Sequence, residues 1–193
     1  MARKALILLA DGFEEVEAVT PLDYLRRAGL EVCSAAIGEG QTLTGSHGIP
    51  VKADTTLGEL ICRAGDLTRL CQSLDAVVLP GGLPGASNLA ASRDTGALLK
   101  AMSQAGKVVA AICASPALVL APLGLLDGKR FTCYPGMEKD LSQGAWKEDR
   151  VVIDGSLITS RGAGTAGAFA AAIIGQLLGE AAEKTLTRSV LLA

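Results

Sequence analysis

Three short apolar stretches constrain this chain more than any other feature: Ala5–Ala10, Ala76–Leu79 and Lys107–Ile112, the last apolar after its first residue. Each has the length of a strand, and none alternates with polar residues, so each predicts a strand covered on both faces. Between and after them lie segments of helical spacing, over Glu15–Ala28, Arg93–Ala105, Gly167–Leu178 and Glu180 to about Val190, with a further strand over Glu31–Ile37. Alternation of this kind predicts one α/β domain over residues 1–193, built on a mostly parallel, doubly wound sheet. Apolar residues make up 49% of the chain and aromatics only 3%, so the core must be packed from Ala, Val, Leu and Ile.

In such a sheet ligands sit beyond the carboxyl ends of the strands. The segments to inspect are therefore Asp11–Glu17, Pro80–Gly85, Cys113–Pro116, Tyr134–Pro135 and Ser160–Gly164. Phe131–Cys133, Arg150–Asp154 and Leu157–Thr159 read as later strands, Thr42–Val51 as a short hairpin or irregular excursion, and Thr56–Leu70 as helix broken at Gly65.

Charge and cysteine usage remove several classes of function. Eighteen basic and twenty acidic residues are spread without a basic run, so neither nucleic acid nor an anionic membrane is an expected partner. The run Ala5–Ala10 meets Asp11 before it reaches the length of a signal core or a membrane span. Five widely spaced cysteines, an odd number, point to reduced thiols and a cytoplasmic setting. With no C-x-x-C pair and a single histidine, no metal site is expected.

One of those cysteines stands apart. In V-V-A-A-I-C-A-S-P, Cys113 ends a buried strand and Ser115-Pro116 is placed to open a helix, serine as cap and proline in the first turn. A thiol at a helix N-terminus is expected to have a lowered pKa and to be nucleophilic, and the small residues Ala111 and Ser115 suit a sharp elbow. The alternative is a buried core thiol; Cys33, Cys62, Cys71 and Cys133 lack this strand-to-helix placement and are expected to be structural. The N–H of Ala114 and a glycine N–H from L-P-G-G, at Gly82, could hold an oxyanion, though that loop is equally an ordinary strand-ending turn. Glu17, flanked by Val16, Ala18 and Val19, either turns inward, where burial would raise its pKa and suit it to proton transfer, or is one more solvated acid at a helix start. His47, the only imidazole, sits in an irregular segment that sequence cannot bring to Cys113. Gly162, Gly164 and Gly167 match a dinucleotide fingerprint by spacing, but too little chain follows for that fold, so they read as close helix–strand packing.

Taken together, A-D-G-F-E-E-V-E-A-V with R-R-A-G, V-V-L-P-G-G-x-x-G-A-x-N-L, V-V-A-A-I-C-A-S-P and L-I-T-S-R-G-A-G-T-A resemble the ThiJ/PfpI superfamily over nearly the whole chain, within it the Parkinson-associated deglycase branch. The resemblance implies a flavodoxin-like three-layer sandwich, as in class I glutamine amidotransferases, forming a homodimer. It implies a reactive Cys113 hydrogen-bonded to Glu17, with Gly82 and Ala114 as oxyanion donors. Tyr134 stands where better-known catalytic members carry histidine; tyrosine hydrogen-bonds but, with a reference pKa of about 10, is a poor base near neutrality. His47 falls where some relatives place a partner-facing basic residue.

The implied activity is that of a cysteine-dependent glyoxalase or deglycase needing no cofactor, acting on a small carbonyl substrate such as methylglyoxal or its protein adducts. Two other readings follow from the same thiol. One is a redox-sensing stress protein or chaperone that responds through oxidation of Cys113. The other, peptidase or amidase action, wants an imidazole base at a place where this chain has none. A thiazole-biosynthesis role, attached to the family by an older label, finds no supporting residue.

Overall fold

The computed structural model describes residues 2–192. Its centre is a seven-stranded sheet. The strands of that sheet, in chain order, are β1 (Lys4–Leu9), β2 (Glu31–Ala36), β5 (Thr55–Thr56), β6 (Ala76–Leu79), β7 (Val108–Ile112), β10 (Val151–Asp154) and β11 (Leu157–Ser160). Across the sheet the order is β10-β11-β7-β6-β1-β2-β5, and only β10, at the edge, runs antiparallel to its neighbour. The antiparallel hairpin β3 (Thr42–Thr44) and β4 (Pro50–Lys52) stands apart from the sheet.

Two cores form because successive side chains of a strand point to opposite faces. Leu6 and Leu8 of β1, Val77 and Leu79 of β6 and Val109 of β7 face one way. They pack with α3 (Leu67–Ser73) and α5 (Arg93–Gln104), through Leu70, Leu98, Leu99 and Met102. Ala5, Ile7 and Leu9, with Val78, Ala110 and Ile112, face the other way, onto α1 (Glu15–Arg27), α6 (Ala166–Leu178) and α7 (Glu180–Ser189). The helix α2 (Leu57–Ala64) precedes α3, and the break between them falls at Gly65, as the sequence predicts.

Two expectations are corrected and one helix is added. The segment Phe131–Cys133 does not enter the main sheet: β8 (Arg130–Phe131) pairs with β9 (Ala145–Trp146) in a separate ribbon, and the N–H groups of Arg130 and Thr132 donate to the side chains of Asp154 and Thr159 rather than to a strand backbone. A helix α4 (Gly85–Ala91), unread in the sequence because its G-A-S-N start looks like loop, follows the L-P-G-G turn. Gly164 has open space where a side chain would be, and Gly167 packs against Leu192 and Tyr24, so the glycine triplet does not serve close helix–strand packing.

Candidate active site

Four strand ends converge where β1, β6, β7 and β11 stop. Cys113 follows β7 with φ 64°, a left-handed conformation that an L-residue other than glycine rarely adopts. It is pinned there from both sides. Its N–H donates to Ser160 O at 2.9 Å, and its carbonyl accepts from Tyr134 N at 2.8 Å. The next turn is π-helical over Pro116–Leu120, and Ser115 makes no cap. Instead its buried hydroxyl donates to Pro80 O at 2.6 Å, tying the elbow to the end of β6.

Glu17 turns inward. Its neighbours Val16 and Val19 are 48% and 44% exposed while Glu17 is 1% exposed, the reverse of what hydropathy alone would arrange. The helix start is built for this: Glu14 caps it by accepting from Glu17 N at 2.7 Å, and Glu14 N donates to Gly81 O at 3.0 Å. Glu17 Oε2 in turn accepts from Gly81 N at 2.8 Å. Gly81, absent from the predicted set, is thus the hinge of the site. A Cβ there would lie 2.7 Å from Cys113 Cβ, 2.8 Å from Glu17 Oε2 and 2.9 Å from Ala114 N. Gly82 is required as well, since it adopts φ 87° and a side chain would run into the backbone of Gly12–Glu14.

Electrostatically, the two groups are one system. Burial lifts the Glu17 carboxyl from 4.5 to about 7, against the opposing pull of the Gly81 N–H and the Cys113 thiol. The thiol is pushed up to about 12, first by burial and then by the charge of Glu17 and the hydrogen bond to it. The N–H groups of Gly82 and Ala114 both point at the sulfur and work in the other direction. The expected lowering by a helix dipole is therefore overturned: a helical turn does begin just after the sulfur, at Ser115–Pro116, but burial and the neighbouring carboxylate act against it and against the two backbone donors, and the net direction is upward. The pair holds two protons that leave in separate steps. Near neutrality one remains, shared between sulfur and carboxyl, so a thiolate forms whenever that proton resides on Glu17.

Tyr134 is half exposed, and its ring lies beside Gly162. His47 is not at the sulfur. It sits on the β3–β4 turn, where its Nδ1 is 2.9 Å from Glu15 Oε2. Glu15 also accepts from the N–H groups of His47 and Ile49 and from the Ser46 hydroxyl. The oxygens of Glu14 and Glu15 and the imidazole lie within 4.8 Å of one another, but the buried carboxylate is already saturated with donors and serves as an anchor for the hairpin. Although burial acts to raise it, these donors hold the Glu15 carboxyl down at about 2. Its contribution to stability is therefore present above the ordinary pKa of 4.5 and lost as pH falls through about 2. Glu15→Gln is expected to lower urea-unfolding stability by about 1–3 kcal/mol at pH 7, with the difference shrinking at pH 3.

All five cysteines are free thiols, and among the described residues no helix is long and apolar enough to cross a membrane. With this geometry in hand, comparison with known proteins is direct. The family model for the DJ-1/PfpI family matches residues 3–176. The chain belongs to the DJ-1/PfpI family. Protein dj-1beta of Drosophila melanogaster is 38% identical over 195 residues, covering all of this chain and 99% of that protein. The crystal structure of Drosophila DJ-1beta superposes with a TM-score of 0.91 over the full length of both chains. Protein DJ-1 homolog B of Arabidopsis thaliana is 41% identical over 96% of this chain, which spans only 40% of that longer protein. A protein named deglycase from Pyrococcus horikoshii is 34% identical over 160 residues, 82% of this chain and 89% of its own length. The DJ-1/PfpI neighbours confirm the mostly parallel, flavodoxin-like α/β fold.

Proposed function

We propose that this DJ-1/PfpI protein is a cysteine-dependent, cofactor-independent glyoxalase or deglycase, converting methylglyoxal or its protein adducts to lactate. The observation that carries this reading is Glu17: a carboxyl 1% exposed, pushed to about 7, and fixed by Gly81 beside Cys113. A carboxylate so placed can accept a thiol proton and then move protons between adjacent carbons of a bound substrate.

The steps balance without an outside oxidant or reductant. The sulfur of Cys113 bonds to the aldehyde carbon while its proton passes to Glu17 and on to the new hydroxyl, giving a hemithioacetal. The N–H groups of Gly82 and Ala114, which point at the sulfur, support this step as the donors for that oxygen. Glu17 then removes the hydrogen from the thiolated carbon and returns a proton to the former ketone carbon, leaving a lactoyl thioester. Water cleaves the C–S bond, releasing lactate and restoring the thiol. On a protein aminocarbinol adduct the sulfur displaces the amine at the same carbon, the C–N bond breaking as the C–S bond forms and the thiol proton passing through Glu17 to the leaving amine, and the same hemithioacetal then follows. The test is a single-turnover trap. Rapid acid quench after mixing with methylglyoxal should give a lactoyl group on the Cys113 peptide and free lactate at longer times; no adduct and no lactate would overturn the reading.

A redox-sensing role is a second reading, supported by the same N–H pair, which can stabilise an oxidised, anionic sulfur as readily as an oxyanion. Mild peroxide should then oxidise Cys113 ahead of the other four cysteines by peptide mass spectrometry, and even oxidation of all five would remove it. Val16, Val19 and Ile49, exposed at 48%, 44% and 55%, support a homodimer formed through α1 and the β3–β4 hairpin. Five free thiols fit a reducing, cytoplasmic setting.

A further inference from the structure

Next to the reactive pair lies a cavity of about 460 Å³, bordered by Tyr134, Pro135, Gly162, Thr165, Arg150 and Arg161. That volume is within the range of small-molecule sites, about 300–1,000 Å³, and far exceeds what a three-carbon dicarbonyl needs. The cavity meets the reactive groups at Gly162. A Cβ on that residue would lie 3.6 Å from Tyr134 Cδ2 and 3.8 Å from Glu17 Oε1, so the missing side chain leaves an opening between ring and carboxyl. The other oxygen of Glu17 is the one held by Gly81 beside Cys113. Glu17 therefore spans from sulfur to cavity.

The walls define what can enter. Arg150 Nη2 donates to Gly164 O at 3.0 Å, and Arg161 Nη1 donates to Glu148 O at 2.9 Å and lies 3.8 Å from its carboxylate. With the guanidinium groups turned to these partners, the arginines present their aliphatic stems beside the Tyr134 ring and the glycine backbone. Such walls are flat and apolar.

Resting on the reading of Cys113 as nucleophile, we propose that this cavity receives the substituent next to the ketone of an α-oxoaldehyde, and that it favours an aryl or extended apolar group over methyl. Tyr134 then acts in specificity, in the position where a histidine would act as base. For any substituent R the reaction remains R–CO–CHO plus water to R–CHOH–COOH, so no further reactant is needed.

N-Benzyl-iodoacetamide tests this without turnover. Its reactive methylene takes the place of the aldehyde carbon, its carbonyl that of the ketone, and its benzyl group that of R. Labelling of Cys113 is followed by peptide mass spectrometry against iodoacetamide, with exposed Cys62 in the same chain as reference. The benzyl reagent should label Cys113 about tenfold or more faster, relative to Cys62, since even a single methylene in a matching apolar pocket is worth about 10–200-fold. Gly162→Leu grows a side chain into the opening from an extended backbone, φ 167°, that accepts any residue, and should bring that preference down to the Cys62 value. Equal rates in the wild type, which needs no variant, overturn the proposal, as does a preference that survives Gly162→Leu. Lactate formation without the preference sinks the cavity assignment alone; the preference without lactate sinks turnover alone.

Discussion

Glu17→Gln is expected to reduce lactate formation by about 10²–10⁴-fold while leaving a protein more stable than the wild type at neutral and alkaline pH. The first effect follows because an amide can neither accept the thiol proton nor carry one between the two substrate carbons. Cys113→Ser should be equally inactive, since a hydroxyl in that place is a far weaker nucleophile. The second effect follows from linkage. A carboxyl whose folded pKa is raised from 4.5 to about 7 contributes stability that is complete below 4.5 and lost as pH rises through about 7. Removing the ionisable group should therefore stabilise the fold by about 2–3 kcal/mol above that pH, read by urea unfolding at pH 6 and pH 8.5. Wild-type turnover should rise through pH about 7, as the pair loses its first proton, and stay level beyond, because the second proton is held to about 12. A variant that kept a tenth of the activity, or a rate profile flat across pH 6–8, would refute the role given to this carboxyl.

Gly81→Ala is expected to cost about 100-fold or more in kcat/KM, because misplacement of reacting groups by about 1 Å can have that effect. The added methyl would sit under 3.0 Å from Cys113 Cβ, Glu17 Oε2 and Ala114 N at once. Two of those atoms belong to backbone or lie one bond from it, so the strain cannot be relieved by turning a flexible side chain. The nucleophile, its proton acceptor and an oxyanion donor must all shift, at a stability cost of about 1–3 kcal/mol for overpacking. Gly58→Ala is the matched control. It lies in α2 with nothing within 4 Å, and should leave activity unchanged while adding up to about 1 kcal/mol of helix stability. Equal activity in the two variants would show that Gly81 does not set the geometry.

The sequence carried the sheet well, and the site unevenly, for reasons visible in particular residues. β1, β6 and β7 were legible because a parallel strand buried on both faces must be apolar throughout. β8 was misplaced because a two-residue ribbon and a sheet strand show the same short apolar signal. Cys113 and Glu17 could be picked out, the latter because an acid amid valines is costly unless used. Gly82 could be read as a backbone donor toward the sulfur, but Gly81 was not singled out, because L-P-G-G does not say which N–H meets the carboxyl and only the fold decides that. Ser115 was read as a cap because local chemistry suits one, whereas its hydroxyl donates to the Pro80 carbonyl, just past the end of β6 and 35 residues away in the chain. The thiol pKa went astray for a like reason: proximity of Glu17 to Cys113 is a tertiary fact, and it outweighs the local backbone donors.

The φ of 64° at Cys113 has a consequence for sorting related sequences. Holding a side-chain-bearing residue in that region costs the native state about 1–3 kcal/mol, which glycine at the same bend would recover. A descendant with no use for the sulfur therefore has a single-codon route to a tougher molecule. Paralogues that keep cysteine at this bend, together with the inward-facing acid on the first helix, can be grouped as chemically active candidates, and those with glycine there as scaffolds released from that duty.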